Sequence, residues 1–204
     1  MTDLHALANE WRSWSTAADR SESGWQSDFP RWPELLAAAR AVMMAPFDAH
    51  SRSDMELVWE ASEEGEEMLE FSSERLDTTE AWIRELARSS SADIRWQVYE
   101  TLRNGVGKPW AEGILRSGLV DADPYARRRA SLALAPYKVA DVADIVKTLV
   151  REHDPYLRQA AVVLAAESSD LTLVQKTRSV LIHDPAQQVR DAVAQLLKLR
   201  PDGA

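Results

Sequence analysis

Two sets of side chains have the type and spacing to do chemistry. Glu56, Glu60, Glu63, Glu67, Glu70 and Glu74 alternate at intervals of four and three residues. That spacing puts six carboxylates on one helical face, over about 27 Å at 1.5 Å per residue. Glu64 and Glu66 thicken the stripe. Like charges so placed cost about 0.2–0.5 kcal/mol per pair. A helix that tolerates them either turns them to solvent or uses their field to draw a basic partner. They are poor metal ligands, because no His joins them at ligand spacing and the Asp/Gly chemistry of a calcium loop is missing. The second set is Arg95, Arg127, Arg158 and Arg190, one roughly every 31–32 residues. A guanidinium fork pairs well with carboxylates, so the expected role is bracing each repeat, with a phosphate-reading stripe as the alternative.

Enzyme chemistry finds little support. The chain has four His and no Cys, and no Gly-rich phosphate loop, nucleophile elbow or His/Glu zinc motif. The expectation is a protein that is not an enzyme and needs no cofactor or metal.

The arginines belong to a larger pattern. Asp123-Pro124 precedes Arg127, Asp154-Pro155 precedes Arg158, and Asp184-Pro185 precedes Arg190, each followed by an alanine-rich apolar run. Asp at an N-cap satisfies an orphan N–H of the first turn, and Pro at N1 has no N–H to leave unpaired. Each Asp-Pro therefore predicts a helix start. After Asp154, Leu157, Ala160, Ala161, Leu164 and Ala165 recur at helical spacing, and small side chains of this kind let neighbouring helices approach. A period near 31 residues predicts stacked helical pairs. A degenerate copy, Ser91-Ala92-Asp93-Ile94-Arg95, lies upstream, and the third copy sets its Arg further from its Asp than the others do.

This motif resembles the HEAT-like repeats of the kind named after phycobilisome lyases, over roughly residues 91–199. The resemblance implies an all-α chain, an α-solenoid of antiparallel helix pairs. It also implies that the second helix of each pair lines a concave face. The candidates there are Trp110, Glu112 and Arg116, then Asp144, Lys147, Thr148 and Arg151, then Gln175, Lys176 and Ser179.

About eleven helices are expected. Upstream of the repeats they cover 3–15, 33–44, a long helix from Ser51 or Ser53 to Ser73, and one capped by Thr78 or Thr79. The remainder cover 93–103, 109–118, 123–135, 139–153, 154–167, 170–183 and a terminal capping helix at 184–198, with 200–204 a frayed tail. Residues 21–33 read as a loop holding Trp25, Phe29 and Trp32. Large aromatics of this kind either cap the first helices or form a partner-binding edge.

Charge divides the chain. Residues 1–90 hold 19 acidic and 8 basic side chains, and residues 91–204 hold the remaining 14 and 16. The expected organisation is an acidic, Trp-rich helical region at 1–90, continuous with repeats at 91–199. No apolar run reaches the ~20 residues of a membrane span, and no secretory leader is read at Met1-Thr2-Asp3, so the expected location is cytoplasmic. The functional expectation is a non-enzymatic protein-interaction module with a basic protein as partner. One version is an immunity or inhibitor protein for a toxin. A nucleic-acid-binding protein is disfavoured by the acidic half, and a lyase-type chaperone is a further alternative.

Overall fold

The computed structural model describes residues 3–17, 28–62 and 66–199. Among them the chain is helical throughout, with twelve α-helices and no strand. It divides into two compact units, 1–104 and 105–204. The first holds α1 (Leu4–Ala17), α2 (Trp32–Met43), α3 (Arg52–Ala61), α4 (Glu67–Ser73), α5 (Leu76–Leu86) and α6 (Ala92–Thr101). The second holds α7 (Pro109–Gly118), α8 (Pro124–Ala133), α9 (Val142–Leu149), α10 (Pro155–Glu167), α11 (Leu171–Leu181) and α12 (Gln187–Leu199). The charge boundary near residue 90 is not where the compact units divide, and α6 with Arg95 lies in the first. The predicted tail at 200–204 lies outside the described residues.

The long helix expected from Ser51 to Ser73 is two helices, which raises the count to twelve. α3 ends at Ala61, and Glu66 takes a left-handed conformation, φ 54°, before α4 begins. The burial pattern explains the break. α3 buries Met55, Val58 and Trp59, and α4 buries Met68, Leu69 and Ser72. On one unbroken helix Met68 would sit roughly 130° round from the α3 stripe at 100° per residue. α4, starting after the left-handed Glu66, takes a phase of its own and buries Met68. The end of α3 is also satisfied from elsewhere: the Trp59 carbonyl accepts from Ser62 Oγ at 3.2 Å and from the buried Gln97 Nε2 of α6 at 3.0 Å. A second correction concerns Thr78 and Thr79. α5 already begins at Leu76, and both hydroxyls donate back to the Arg75 carbonyl at 3.0 Å instead of capping.

The core of the first unit is aromatic. Trp59 and Trp82 are fully buried, and Trp82 Nε1 donates to the Val42 carbonyl at 3.1 Å. Trp11 gathers Trp14, Phe29 and Trp32 around it, with ring centroids 5.2–5.5 Å apart. A buried carboxylate joins α1 to α3. Asp54, 2 % exposed, accepts from Arg12 at 2.9 Å, and its other oxygen lies 2.8 Å from His5 Nδ1. Asn9 completes the cluster, 3.1 Å from His5 Nε2 and 2.8 Å from Arg12.

In the second unit α10 packs against α8, α9, α11 and α12. Its buried residues include Leu157, Ala160, Ala161, Leu164 and Ala165, the stripe read from the sequence. On the α11/α12 side Val162, Val174, Leu181, Val189 and Val193 form one cluster, each side chain contributing about 1.5–3 kcal/mol on full burial.

The four arginines build one corner four times. In each case the backbone N–H closes the first helical turn on the residue four back: Arg95 on Ser91, Arg127 on Asp123, Arg158 on Asp154, Arg190 on Ala186. Nη1 then returns to the two carbonyls five and six residues back: Ser90 and Ser89, Ala122 and Asp121, His153 and Glu152, Pro185 and Asp184. These carbonyls lie in the loop before the helix, where no ladder partner exists.

The same register corrects Asp184. Asp123 caps α8 through Ala126 N at 2.8 Å, and Asp154 caps α10 through Tyr156 N at 2.8 Å, with Pro124 and Pro155 in the first turn. Asp184 sits two residues earlier relative to its arginine. Its Oδ1 accepts from Ala186 N at 2.9 Å, and the helix starts at Gln187. Its carboxylate instead receives the Arg158 fork, at 2.7 and 2.8 Å. The side chains are 12 % and 4 % exposed.

Lys138 ends the 3-10 turn Ala135–Tyr137 in a left-handed conformation, φ 50°, ψ 47°. A Cβ in that region costs about 1–2 kcal/mol. Lys138→Gly should therefore raise stability by about 0.5 kcal/mol after the unfolded-chain entropy is counted. Urea unfolding reads it, and a lower midpoint would show that the Lys138 side chain contributes more than its backbone costs.

Candidate functional site: the groove between α9 and α11

α9 and α11 lie side by side on α10. Their inner residues, Ile145, Val146 and Leu149 from α9 and Leu173, Val174, Thr177 and Leu181 from α11, are buried. The next residues round each helix leave a groove of about 270 Å³. Its floor is Val146, Val150, Leu173 and Thr177, and its rim carries Lys147, Lys176, Val180, Asp144 and Asp170. Val180 is 60 % exposed, and Leu171, at the start of α11, is 61 % exposed.

Lys147 and Lys176 are exposed, and among the described residues neither meets a carboxylate. The same is true of Arg151, one turn beyond Lys147, and of Arg178 on α11. Asp170 is occupied: its Oδ1 accepts from Thr172 N at 2.9 Å and Leu173 N at 3.1 Å, capping α11. Asp144 is exposed in the first turn of α9.

Other sequence candidates are distributed differently. Arg116 is held by three bonds of 2.8 Å, one to Glu112 and two to Asp141. Hydrogen bonds from Arg116 keep the Asp141 carboxyl below its ordinary range. Arg116 thus ties α7 to the start of α9 and is not available as a groove cation. Phe29 and Trp32 are buried in the α1/α2 cluster, which is the capping alternative of the two read from the sequence. Trp25 and Glu63 lie outside the described residues. The glutamate stripe is divided by the break at Ser62. Glu56 pairs with Arg52 at 3.4 Å, and Glu74 with Arg75 at 2.7 Å. Glu67 turns toward α2, accepting from Trp32 Nε1 at 3.1 Å. Glu60 and Glu70 remain exposed, on different helices.

Sequence reasoning named Lys147, Arg151 and Lys176 but missed Val150 and Val180. The signal for Val180 was present. It lies off the stripe made by Leu173, Val174, Thr177 and Leu181, so an apolar residue there has no core to fill.

Among the described residues no group of three or more His, Cys, Asp or Glu side chains could hold a metal ion. No helix among them is long and apolar enough to cross a membrane. No family model matches the chain, and the comparison with curated proteins gives no match.

Proposed function

We propose that this chain is a non-enzymatic α-solenoid of antiparallel, HEAT-like helix pairs that binds another protein in the groove between α9 and α11. The repeat reading is supported by the arginine corner, which recurs in the same hydrogen-bond register at Arg95, Arg127, Arg158 and Arg190. The binding reading rests on one observation: an apolar-floored groove whose rim exposes Val180 beside Lys147 and Lys176, which meet no carboxylate among the described residues, and Asp144 and Asp170. Apolar clefts with a few polar groups at the edge are where chains of this size take ligands. The acidic first unit is the competing surface, and a basic partner is its counterpart. Its stripe is divided between α3 and α4, with Glu67 engaged by Trp32.

Capture of the partner from the source cell separates the two surfaces. Val180→Glu places a charge on an exposed position and leaves the core untouched. It should reduce capture at least tenfold, whereas the pair Glu60→Lys with Glu70→Lys should leave capture within about twofold. The opposite pattern would move the site to the acidic unit.

A further inference from the structure

We infer that Asn104-Gly105 is a self-modifying site, at which the asparagine converts to aspartate and isoaspartate with water as the only co-reactant. α6 runs into a 3-10 turn, Leu102–Asn104, and no helix follows until α7 begins at Pro109. Asn104 is the last residue of that turn and is exposed. Among the described residues its side-chain amide meets no hydrogen-bond partner. Gly105 lies outside the turn, and its carbonyl accepts from Lys108 N at 3.0 Å. Attack on the Asn104 side chain by the Gly105 nitrogen requires ψ of Asn104 to leave the helical range. A single 3-10 turn resists that rotation weakly, because its hydrogen bonds are poorly aligned. Glycine adds no Cβ beside the nucleophile and restricts the backbone least. The chain's other asparagine, Asn9, has none of these features. It sits inside α1 and is followed by Glu10, and its amide is engaged at both ends, 3.1 Å from His5 Nε2 and 2.8 Å from Arg12.

The atoms balance without an oxidant or reductant. The Gly105 nitrogen, losing its proton to solvent, bonds to Asn104 Cγ. The bond from Cγ to the side-chain nitrogen breaks and ammonia leaves, which closes a succinimide. Water then adds to one of the two ring carbonyls. Opening at Cγ gives aspartate. Opening at the main-chain carbonyl breaks the original peptide bond and leaves the chain running through Cγ, which is isoaspartate. The sum is amide plus water going to carboxylate plus ammonium. Either product places a new negative charge beside Arg103, which lies 3.5 Å from Glu100. Isoaspartate also adds a methylene to the main chain at residue 104, where the first compact unit ends. No enzyme or partner takes part, so the change accumulates with the age of each molecule.

The test holds the whole protein in mildly alkaline buffer beside a free peptide of the sequence 101–107. Peptide mapping by mass spectrometry follows residues 9 and 104, and labelling with isoaspartyl methyltransferase separates the two products. Residue 104 should gain the mass of an amide-to-acid conversion at least tenfold faster than residue 9, with isoaspartate among the products. Asn104→Gln, an exposed change that lengthens the side chain and disfavours ring closure, should cut the gain at that position at least tenfold. An Asn104 that stays intact in the protein while the free peptide converts completely would show that the turn locks ψ, and would overturn the site. Equal rates at residues 9 and 104, or aspartate formed without isoaspartate, would overturn it as well.

Discussion

Asp184→Ala should lower stability by about 3–5 kcal/mol, a magnitude typical of breaking a buried ion pair from one side. The Arg158 guanidinium is 12 % exposed and makes four bonds, two to the Asp184 carboxylate and two to the Glu152 and His153 carbonyls. Removing the carboxylate leaves the carbonyl contacts but strands a charge among buried side chains. Asp184→Asn retains the shape and one acceptor, so it should cost less. Thermal unfolding reads both, and a Tm fall of roughly 10 °C is expected for the alanine variant. The pH dependence has a definite direction. Hydrogen bonds from Arg158, ahead of the opposing effect of burial, hold the Asp184 carboxyl below its ordinary value of 3.8. The unfolded chain binds that proton more readily than the folded one. The contribution is therefore complete above the ordinary carboxylate range and is lost as pH falls below about 4 toward the folded value. The Asp184→Asn variant should show a shallower loss of stability in that acid window. An alanine variant that melts with the parent would reduce the pair to a surface contact.

The second large effect concerns Asp54, and it is asymmetric. Arg12→Ala should cost about 3 kcal/mol, because it leaves a carboxylate only 2 % exposed with the His5 contact alone. Asp54→Asn should cost about 1–1.5 kcal/mol. It removes the buried charge and leaves Arg12 and His5, whose side chains are 39 % and 69 % exposed, to hydrate. Chemical denaturation of the two variants gives the order directly. If the asparagine variant were the weaker, the cluster would owe its stability to the carboxylate's charge and not to the need to neutralise it.

These two clusters mark what was legible in the sequence. The α8 and α10 starts were readable because Asp-Pro acts locally: the cap at Asp123 or Asp154 is made to a backbone N–H two or three residues on. The bracing role of the arginines was readable from their period, though their targets were not, since loop carbonyls carry no sequence mark. Asp184 looked like a third cap because the dipeptide was the same. Its distance from Arg190 was the clue that its carboxylate had another use. The α3/α4 break was hidden by a run of glutamates with good helical spacing, and only the misplaced phase of Met68 argued against continuity. Nothing in the sequence singled out Asp54, because the partners that let it be buried, Arg12 and His5, come from a helix more than forty residues away in sequence. The groove was half legible. Its cations stood at positions the HEAT-like resemblance marks, while its apolar floor required knowing which faces of α9 and α11 the core had already claimed.

The arginine corner also bears on the order in which the chain assembles. Each clamp joins atoms only five or six residues apart, and closing so short a loop sacrifices far less chain freedom than bringing distant helices together. A corner therefore needs nothing beyond its own dozen residues to take shape. Four such corners can form independently along a nascent chain, before the later helices they will touch exist. The Arg158 fork to Asp184, spanning twenty-six residues, cannot. It closes only after α10 and α11 are in place, which makes it the late seal on a set of early, separate bends.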